Sequence, residues 1–387
     1  MKPYSLMDLF AGCGGLGLGF HQAGFETFLA NELHPDPAST YVLNLLGEHP
    51  ERMLVGSVTQ QLSNKKIKSL NIKPLEIDCI AGGPPCQGFS NAGRGNPEDP
   101  RNQLYLEFLR VVKKVVPKTV VFENVPGFAR RYGLNLDTHL TETLEKMNYT
   151  VVSGIVQSKN FGVPQLRKRF VSIAVHKKVL KGRKLKLPKG SWNLSEINEK
   201  LSCEQIIGDL DVYKLKHMGY GSGEIDGPSR YFYPAQSEFQ QQMRCITSLD
   251  ENGHTWNTKI PKHTKRVISR MKEKLNGASD AELIEKGLGS KKNSQRVLES
   301  SLFPNITIVS LPDDYIHYNK KFPRTLSVRE CARFQTFPDH FRFLGKRTTG
   351  GKRRRIDVPQ YTQVANAIPP RLAKAIAIYL SEIITEN

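Results

Sequence analysis

Cys86, Glu123 and the arginine pair Arg167 and Arg169 are the residues of this 387-residue chain whose types and settings invite chemistry. Cys86 stands in Gly82-Gly-Pro-Pro-Cys-Gln-Gly-Phe-Ser90, flanked by Pro, Gln and Gly instead of the apolar neighbours of an inert buried thiol. A thiol with an ordinary pKa of about 8.5 is only a few per cent thiolate at neutral pH, so a nearby positive charge would activate it as a nucleophile. Glu123 directly follows an apolar Val-Val-Phe run, where a carboxylate is costly without a partner. Gln165-Leu-Arg-Lys-Arg169 supplies the positive charge. A fourth group is Gly12-Cys-Gly-Gly-Leu-Gly17, which fits G-x-G-x-x-G, with Glu32 lying 20 residues beyond Gly12. Glycines let backbone approach a ligand, and a carboxylate after the second strand accepts hydrogen bonds from ribose hydroxyls. The pattern predicts an adenosine-containing cofactor and leaves NAD and S-adenosylmethionine both open.

These groups need a frame. Ser5–Phe10 reads as a strand ahead of the glycine turn, followed by a helix through Ala23 and a second strand at Glu26–Ala30. Further β-rich runs are Cys79–Ala81, Thr119–Phe122 and Phe170–Val175, while Leu104–Val115 and His139–Met147 have helical spacing. Alternation of this kind predicts an α/β fold, a parallel sheet with helices on both faces. Ligands of such sheets sit beyond the carboxyl ends of the strands, where Cys86 and Glu123 fall. From about 178 to 325 periodicity weakens and a second domain is expected. Helical spacing returns at Ser327–Phe334 and Pro370–Ile383. The expected division is 1–178, 179–356 and 357–387.

The formal net charge is +19, of which residues 1–175 contribute +4, 176–325 contribute +9 and 326–387 contribute +6. Basic runs include Lys181–Lys186, Lys262–Arg270 and Lys352–Arg355. An excess of this size favours a polyanion, nucleic acid first, with steeply salt-dependent binding. Lys262–Arg270 is the first candidate for contact. No apolar run approaches the ~18 residues of a membrane span, and the start lacks the pattern of a signal peptide. The six cysteines form no C-x-x-C pair, which argues against structural zinc and a disulfide framework and points to a reducing compartment.

Taken together, the motifs resemble those of the DNA cytosine-5 methyltransferase family. Asp8-Leu-Phe-Ala-Gly-Cys-Gly-Gly15 is similar to its cofactor motif, Gly83-Pro-Pro-Cys-Gln87 to its nucleophile loop, Glu123-Asn-Val125 to its acid motif and Gln165–Arg169 to its Q-x-R-x-R motif. Arg329-Glu-Cys-Ala-Arg-Phe-Gln335 with Phe337-Pro-Asp339, and Gln363-Val-Ala-Asn-Ala-Ile-Pro-Pro370, are similar to its last two. The resemblance covers about 1–175 and 325–387. It implies a Rossmann-like S-adenosylmethionine-dependent methyltransferase sheet over 1–178, a smaller, mostly irregular or β target-recognition domain over 179–356, and a C-terminal helix returning to the catalytic domain.

The same resemblance implies double-stranded DNA as substrate, S-adenosyl-L-methionine as cofactor and no metal. It makes Cys86 the nucleophile at cytosine C6 and Glu123 a protonated donor to N3. Arg167 and Arg169 would lower the thiol pKa or bind the base carbonyl. Because a close arginine would pull a carboxyl towards ionisation, both arginines are expected to stand apart from Glu123. Phe10, Gly12, Gly14, Leu16 and Glu32 become cofactor contacts, with Pro84, Leu104 and Asn366 closing the pocket. Gly88–Asn102 is expected to close over DNA. Two departures stand out: Ser57, in Gly56-Ser-Val-Thr59, replaces the usual acidic residue facing the adenine amine, and Ala365 replaces a glycine. Lys346–Arg355 is longer and more basic than the family pattern. A companion restriction endonuclease, a monomer on DNA and a cytoplasmic, nucleoid-associated location complete the expectation. Three alternatives remain at this point. An RNA-directed branch shares the motifs, but its Cys-Phe-Thr tripeptide is absent from the variable segment. An NAD oxidoreductase leaves Cys86 and Gln165–Arg169 without a task. A non-catalytic DNA-binding regulator would not require Cys86 and Glu123.

Overall fold

The computed structural model describes residues 2–85, 104–129, 135–188, 190, 201–210, 229–231, 234–244, 254–289, 295–304, 307–308, 314–349 and 357–385. The chain forms two compact units, one made of residues 1–163, 167–195 and 367–387, the other of 164–166 and 196–366.

In the first unit, β1 (Tyr4–Leu9) leads through the glycine turn into α1 (Gly15–His21), followed by β2 (Phe25–Glu32), α2 (Pro35–Tyr41) and β3 (Met53–Val55). Then come α3 (Val58–Gln61), α4 (Asn64–Ser69), β4 (Cys79–Gly82), α5 (Leu104–Val115), β5 (Thr119–Asn124), α6 (Leu136–Lys146), β6 (Tyr149–Gln157), β7 (Lys168–His176) and α7 (Lys177–Leu180). The seven strands pair in the order β3-β2-β1-β4-β5-β7-β6.

Every residue of β4 and β5 is buried. Such strands carry continuous apolar runs because both of their faces are covered. Neighbouring residues serve opposite faces. Met7, Ile80, Val120 and Phe122 pack with Phe108 and Val112 of α5, while Leu6, Cys79, Ala81 and Val121 pack with Phe20 of α1 and with Ile376 and Leu380 of the C-terminal helix Pro370–Thr385. That helix lies close against α1 because Gly19 has no side chain. A Cβ there would run into the Pro370 carbonyl and Ala373.

The sheet is mixed, not wholly parallel as expected. β1 to β5 run parallel, but β7 is antiparallel to both β5 and β6. The ten residues between Gln157 and Lys168 are too few for the crossover of a dozen or more that parallel strands need. β3 and β6 went unanticipated. β3 has only three residues, and β6 is an edge strand, mostly half-buried, whose Thr, Ser and Gly interrupt the apolar run.

The regular elements of the second unit, among the described residues, are short helices and two-residue strands. Buried charge is prominent in its interior. Arg333 is clamped between Asp209 and Asp339, and Arg324 reaches both oxygens of Glu330 at 2.7 Å. Arg329 donates to the carbonyls of Trp256, Pro338 and Phe341. The helix that carries Arg329, Glu330 and Arg333, Val328–Phe334, starts from a reciprocal cap between Ser327 and Glu330. Among the described residues no helix is long and apolar enough to cross a membrane.

Candidate active site at the carboxyl edge of the sheet

The loops leaving β1, β2, β3 and β4 and the end of β5 meet at one edge of the first unit. β1 ends in a turn where Phe10, Gly12 and Gly14 all take positive φ, at 57°, 57° and 98°. Glycine adopts that region freely; Phe10 does so at a cost of order 1 kcal/mol. The turn is fixed from β2: Gly12 N donates to Glu32 Oε2 and His34 N to Oε1, both at 2.9 Å. Burial raises the Glu32 pKa, and the two amide donors oppose it. A Cβ on Gly12 would meet nothing within 4 Å, so the backbone there is open to a ligand. Leu16 is buried, and Phe10, Ser57 and Leu104 are half-buried. Ser57 precedes α3 without spending its hydroxyl on capping that helix, which leaves an oxygen able to accept from an amine. An open glycine turn beside a fixed carboxylate fits an adenosine-containing cofactor.

β1 also carries Asp8, buried beneath this turn. A Cβ on Gly17 would lie 3.0 Å from Asp8 Oδ2 and 2.6 Å from the Tyr41 hydroxyl, so α1 can cross here only because residue 17 is glycine. Tyr41 is itself held by Thr27 at 2.9 Å. Burial pushes the Asp8 carboxyl up to about 8.

Glu123 closes the other half of the edge. Its carboxyl sits over the backbone of Gly83, where a Cβ would come within 2.8 Å of Oε2. Arg169 Nε meets Oε1 at 2.7 Å. Burial raises the Glu123 pKa, and the guanidinium opposes it without cancelling it. The same burial lowers the pKa of Arg169. Next to it, Asn124 donates from Nδ2 to the Pro84 carbonyl and accepts from Val125 N, both at 2.9 Å. Pro84 and Pro85 have no N–H, so a ladder cannot continue past β4, and a side chain from β5 makes the tie.

Residues 4–382 match the C-5 cytosine-specific DNA methylase family. The chain belongs to that family. It is 32% identical to the type II methyltransferase M.DdeI of Desulfomicrobium norvegicum, covering 97% of this chain and 88% of that protein. It is 30% identical to the type II methyltransferase M1.HphI of Haemophilus parahaemolyticus, covering 96% and 85%. Among solved structures it is similar in fold to an E. coli prophage protein assigned as a DNA modification methyltransferase, with a TM-score of 0.69 at 24% identity over 99% of both chains.

Seen as a methylase, the chain departs from expectation at Arg169, which pairs with Glu123 instead of standing apart. Strand register is the reason. Glu123 lies opposite Val171, and Arg169, two residues earlier on β7, is on the same face at the diagonal position. Arg167 is buried, its carbonyl accepting from Ser158 N at 2.8 Å. Gln165 belongs to the second unit, where it donates to Phe334 O and Gln335 Oε1 and accepts from Ile308 N. Asn366 is the exposed last residue of the helix Gln360–Asn366, also in the second unit.

Cys86 and the segment Gly88–Asn102 lie outside the described residues, as does Lys352–Arg355. Of the basic stretch from Lys346, the described part ends at Thr349, and Lys346 pairs with Asp357 at 3.1 Å. Two arginines of Lys262–Arg270 are engaged internally: Arg266 donates to the Gly287 carbonyl and Arg270 to Gln295. Sequence reasoning missed the seat at Gly83, the tie from Asn124 and buried Asp8. Two consecutive prolines without donors after a strand were the one available signal for Asn124.

Proposed function

We infer that the protein is a sequence-specific DNA cytosine-C5 methyltransferase of the restriction–modification type that uses S-adenosylmethionine and a covalent bond between Cys86 and an extruded cytosine. The supporting observation is Glu123: buried at the carboxyl edge, seated over Gly83, with its pKa raised although Arg169 touches it.

In this reading Glu32 holds the cofactor ribose and Ser57 the adenine amine, with Phe10, Gly12, Gly14, Leu16, Pro84 and Leu104 lining the pocket. The bound sulfonium supplies an electrophilic methyl. A cytosine inside a duplex cannot reach this edge, so it is flipped out at a cost of a few kcal/mol. Cys86 Sγ adds to C6, and the electron pair of the C5–C6 double bond moves onto the ring as Glu123 gives its proton to N3. C5 of the resulting enamine is the nucleophile that would take the methyl, the broken S–C bond leaving its electron pair on the donor as a neutral thioether. Return of the N3 proton to Glu123 and loss of the C5 proton to solvent then expel Cys86 as thiolate and restore the ring. Arg169 orients Glu123 and, with Arg167, provides positive charge for the base carbonyl or the thiolate. The second unit serves as the target-recognition domain, tracking phosphates and reading base edges.

The test is a duplex carrying 5-fluorocytosine at the target, incubated with the protein and methyl donor. Fluorine at C5 cannot leave as a proton does, so a covalent protein–DNA species is expected. Cys86→Ser should form none, and Glu123→Ala should form it about 10²- to 10³-fold more slowly. Equal methyl transfer by Cys86→Ser would overturn the assignment.

A further inference from the structure

The sheet of the first unit has a second edge, where its parallel strands begin, on the far side from Glu123. The turns there are knit together by backbone hydrogen bonds: Leu75 N to Val116 O and Lys118 N to Ile77 O at 2.8 Å, His176 N to Lys118 O and Lys177 N to Asn148 O at 2.9 Å. Lysines crowd these turns. Lys68 and Lys73 lie on the approach to β4, Lys113 and Lys114 end α5 ahead of β5, and Lys146 ends α6 ahead of β6. β7 runs the other way, so its carboxyl end brings Lys177, Lys178, Lys181 and Lys184 to the same edge. All nine are exposed. The acidic residues nearby are fewer: Glu76, Asp78, Glu142, Glu145 and, from the C-terminal helix, Glu382. Two of them are engaged, Asp78 with Lys118 at 2.7 Å and Glu76 with the Lys73 amide at 2.8 Å.

The presentation is rigid and selective. Leu75, Val116, Asn148 and Lys181 take φ between 50° and 67°, so the lysines ride on tight turns. Val116 is costly in that region because it is β-branched. The arginine among them turns inward, Arg183 donating to the carbonyls of Val179 and Ile383. What remains outside is lysine, a point charge suited to phosphate and poor at the forked reading of a base edge. Among the described residues, none of the large exposed hydrophobics lies on these turns. Leu75, Met147 and Leu185 pack against the cores instead. A protein partner would need apolar anchors of the kind this edge lacks.

We propose that this edge is a second, sequence-independent binding surface for duplex DNA, holding a segment other than the one that carries the target cytosine. The proposal rests on the reading above only for the presence of DNA as the polyanion. The four strand ends from β4 to β6 span about 15 Å at ~4.8 Å per strand. Duplex DNA offers a charge every ~1.7 Å of axis, so several phosphates fall within reach. An enzyme gripping a second segment can pass between distant stretches of one DNA molecule without releasing it.

The experiment measures how many short duplexes of arbitrary sequence the full-length protein binds at 50 mM salt, by native mass spectrometry and by titration of a fluorescent duplex. Two per chain are expected for the unaltered protein. One is expected when Lys113, Lys114, Lys177 and Lys178 are all changed to Glu, with an unchanged thermal midpoint establishing that this variant folds. The salt dependence of the lost event should have a slope of about 3.6 or steeper in magnitude, about 0.9 for each lysine–phosphate contact, since the four changed lysines alone account for four contacts. A stoichiometry of one for the unaltered protein, or of two for the folded variant, would overturn the proposal. So would a second site that takes polyglutamate and refuses DNA, which would point to an acidic protein. Because the readout is binding without turnover, failure here is distinct from failure of the Cys86 assignment.

Discussion

At the carboxyl edge of the sheet, Arg169 and Glu123 face each other at 2.7 Å, both largely shielded from water. At the opposite edge, nine exposed lysines stand among a handful of carboxylates. The same kind of charge therefore meets two different solvents within one unit. Where water is excluded, a charge acts over one bond length, sets the proton affinity of its neighbour, and ignores salt. Where water is present, each charge is weak, and only their sum attracts a polyanion, over a distance of about 10 Å at 0.1 M salt. Burial thus decides whether a cation takes part in chemistry or in capture.

Arg169→Gln is the change that strikes the buried side hardest. Loss of the guanidinium frees the Glu123 carboxyl to wander, and a misplacement near 1 Å costs about a hundredfold in rate. The pH profile carries the sharper information. Burial raises the Glu123 pKa and Arg169 opposes that rise. Removing the opposing charge must raise the pKa further, so the protonated donor persists to higher pH. The alkaline limb of kcat/KM should therefore move upward in the variant. A limb that stays put, or moves down, would show that Arg169 does not tune this carboxyl.

The contrast between the edges was only half legible in the sequence. Glu123 could be placed because an apolar run led directly to it, and Gly12 with Glu32 because their spacing spans one β-α-β unit. Both signals are local. The Arg169 pairing depends on the register of β5 against β7, which no local pattern carries, so the expectation there was of separation. The lysine edge was hidden for a related reason. Its charges are drawn from four separate segments between Lys68 and Lys184: Lys181–Lys186 stood out as a run, but five of the nine lysines are scattered through residues 1–175, whose sum is only +4. Lys262–Arg270 stood out as a run, yet Arg266 and Arg270 are engaged inside their own unit. The second unit resisted topology because much of its interior is ionic. Arg324, Arg329 and Arg333 are fully buried, and helix periodicity tests do not score arginine as core.

Asp8→Asn tests what burial does to the carboxyl beneath the glycine turn. The Asp8 carboxyl titrates at about 8 in the folded chain and at an ordinary 3.8 when exposed. Between those values the folded state holds a proton that the unfolded state has lost, so stability falls as pH rises through this window, by about 1.4 kcal/mol per unit. An asparagine does not titrate, and its amide can still face Tyr41. Chemical denaturation should show the variant gaining about 3 kcal/mol over the parent between pH 5.5 and 7.5. A constant difference across that range would mean that Asp8 is ionised in the fold.

The smallest effect is expected at the other edge. Lys177 and Lys178 are exposed and adjacent, beside Lys181 and Lys184. Their mutual repulsion opposes folding weakly, and surface changes away from caps and cores shift stability by no more than about 0.5 kcal/mol. Replacing both with Gln should therefore leave the thermal midpoint unchanged or slightly higher at 20 mM salt. At 0.5 M, where screening falls to within a few ångströms, the difference should vanish. The outcome that would break the comparison is a clear loss of stability that persists at high salt. Lysines that hold the fold together through packed or short-range contacts would produce it; lysines exposed for capture would not.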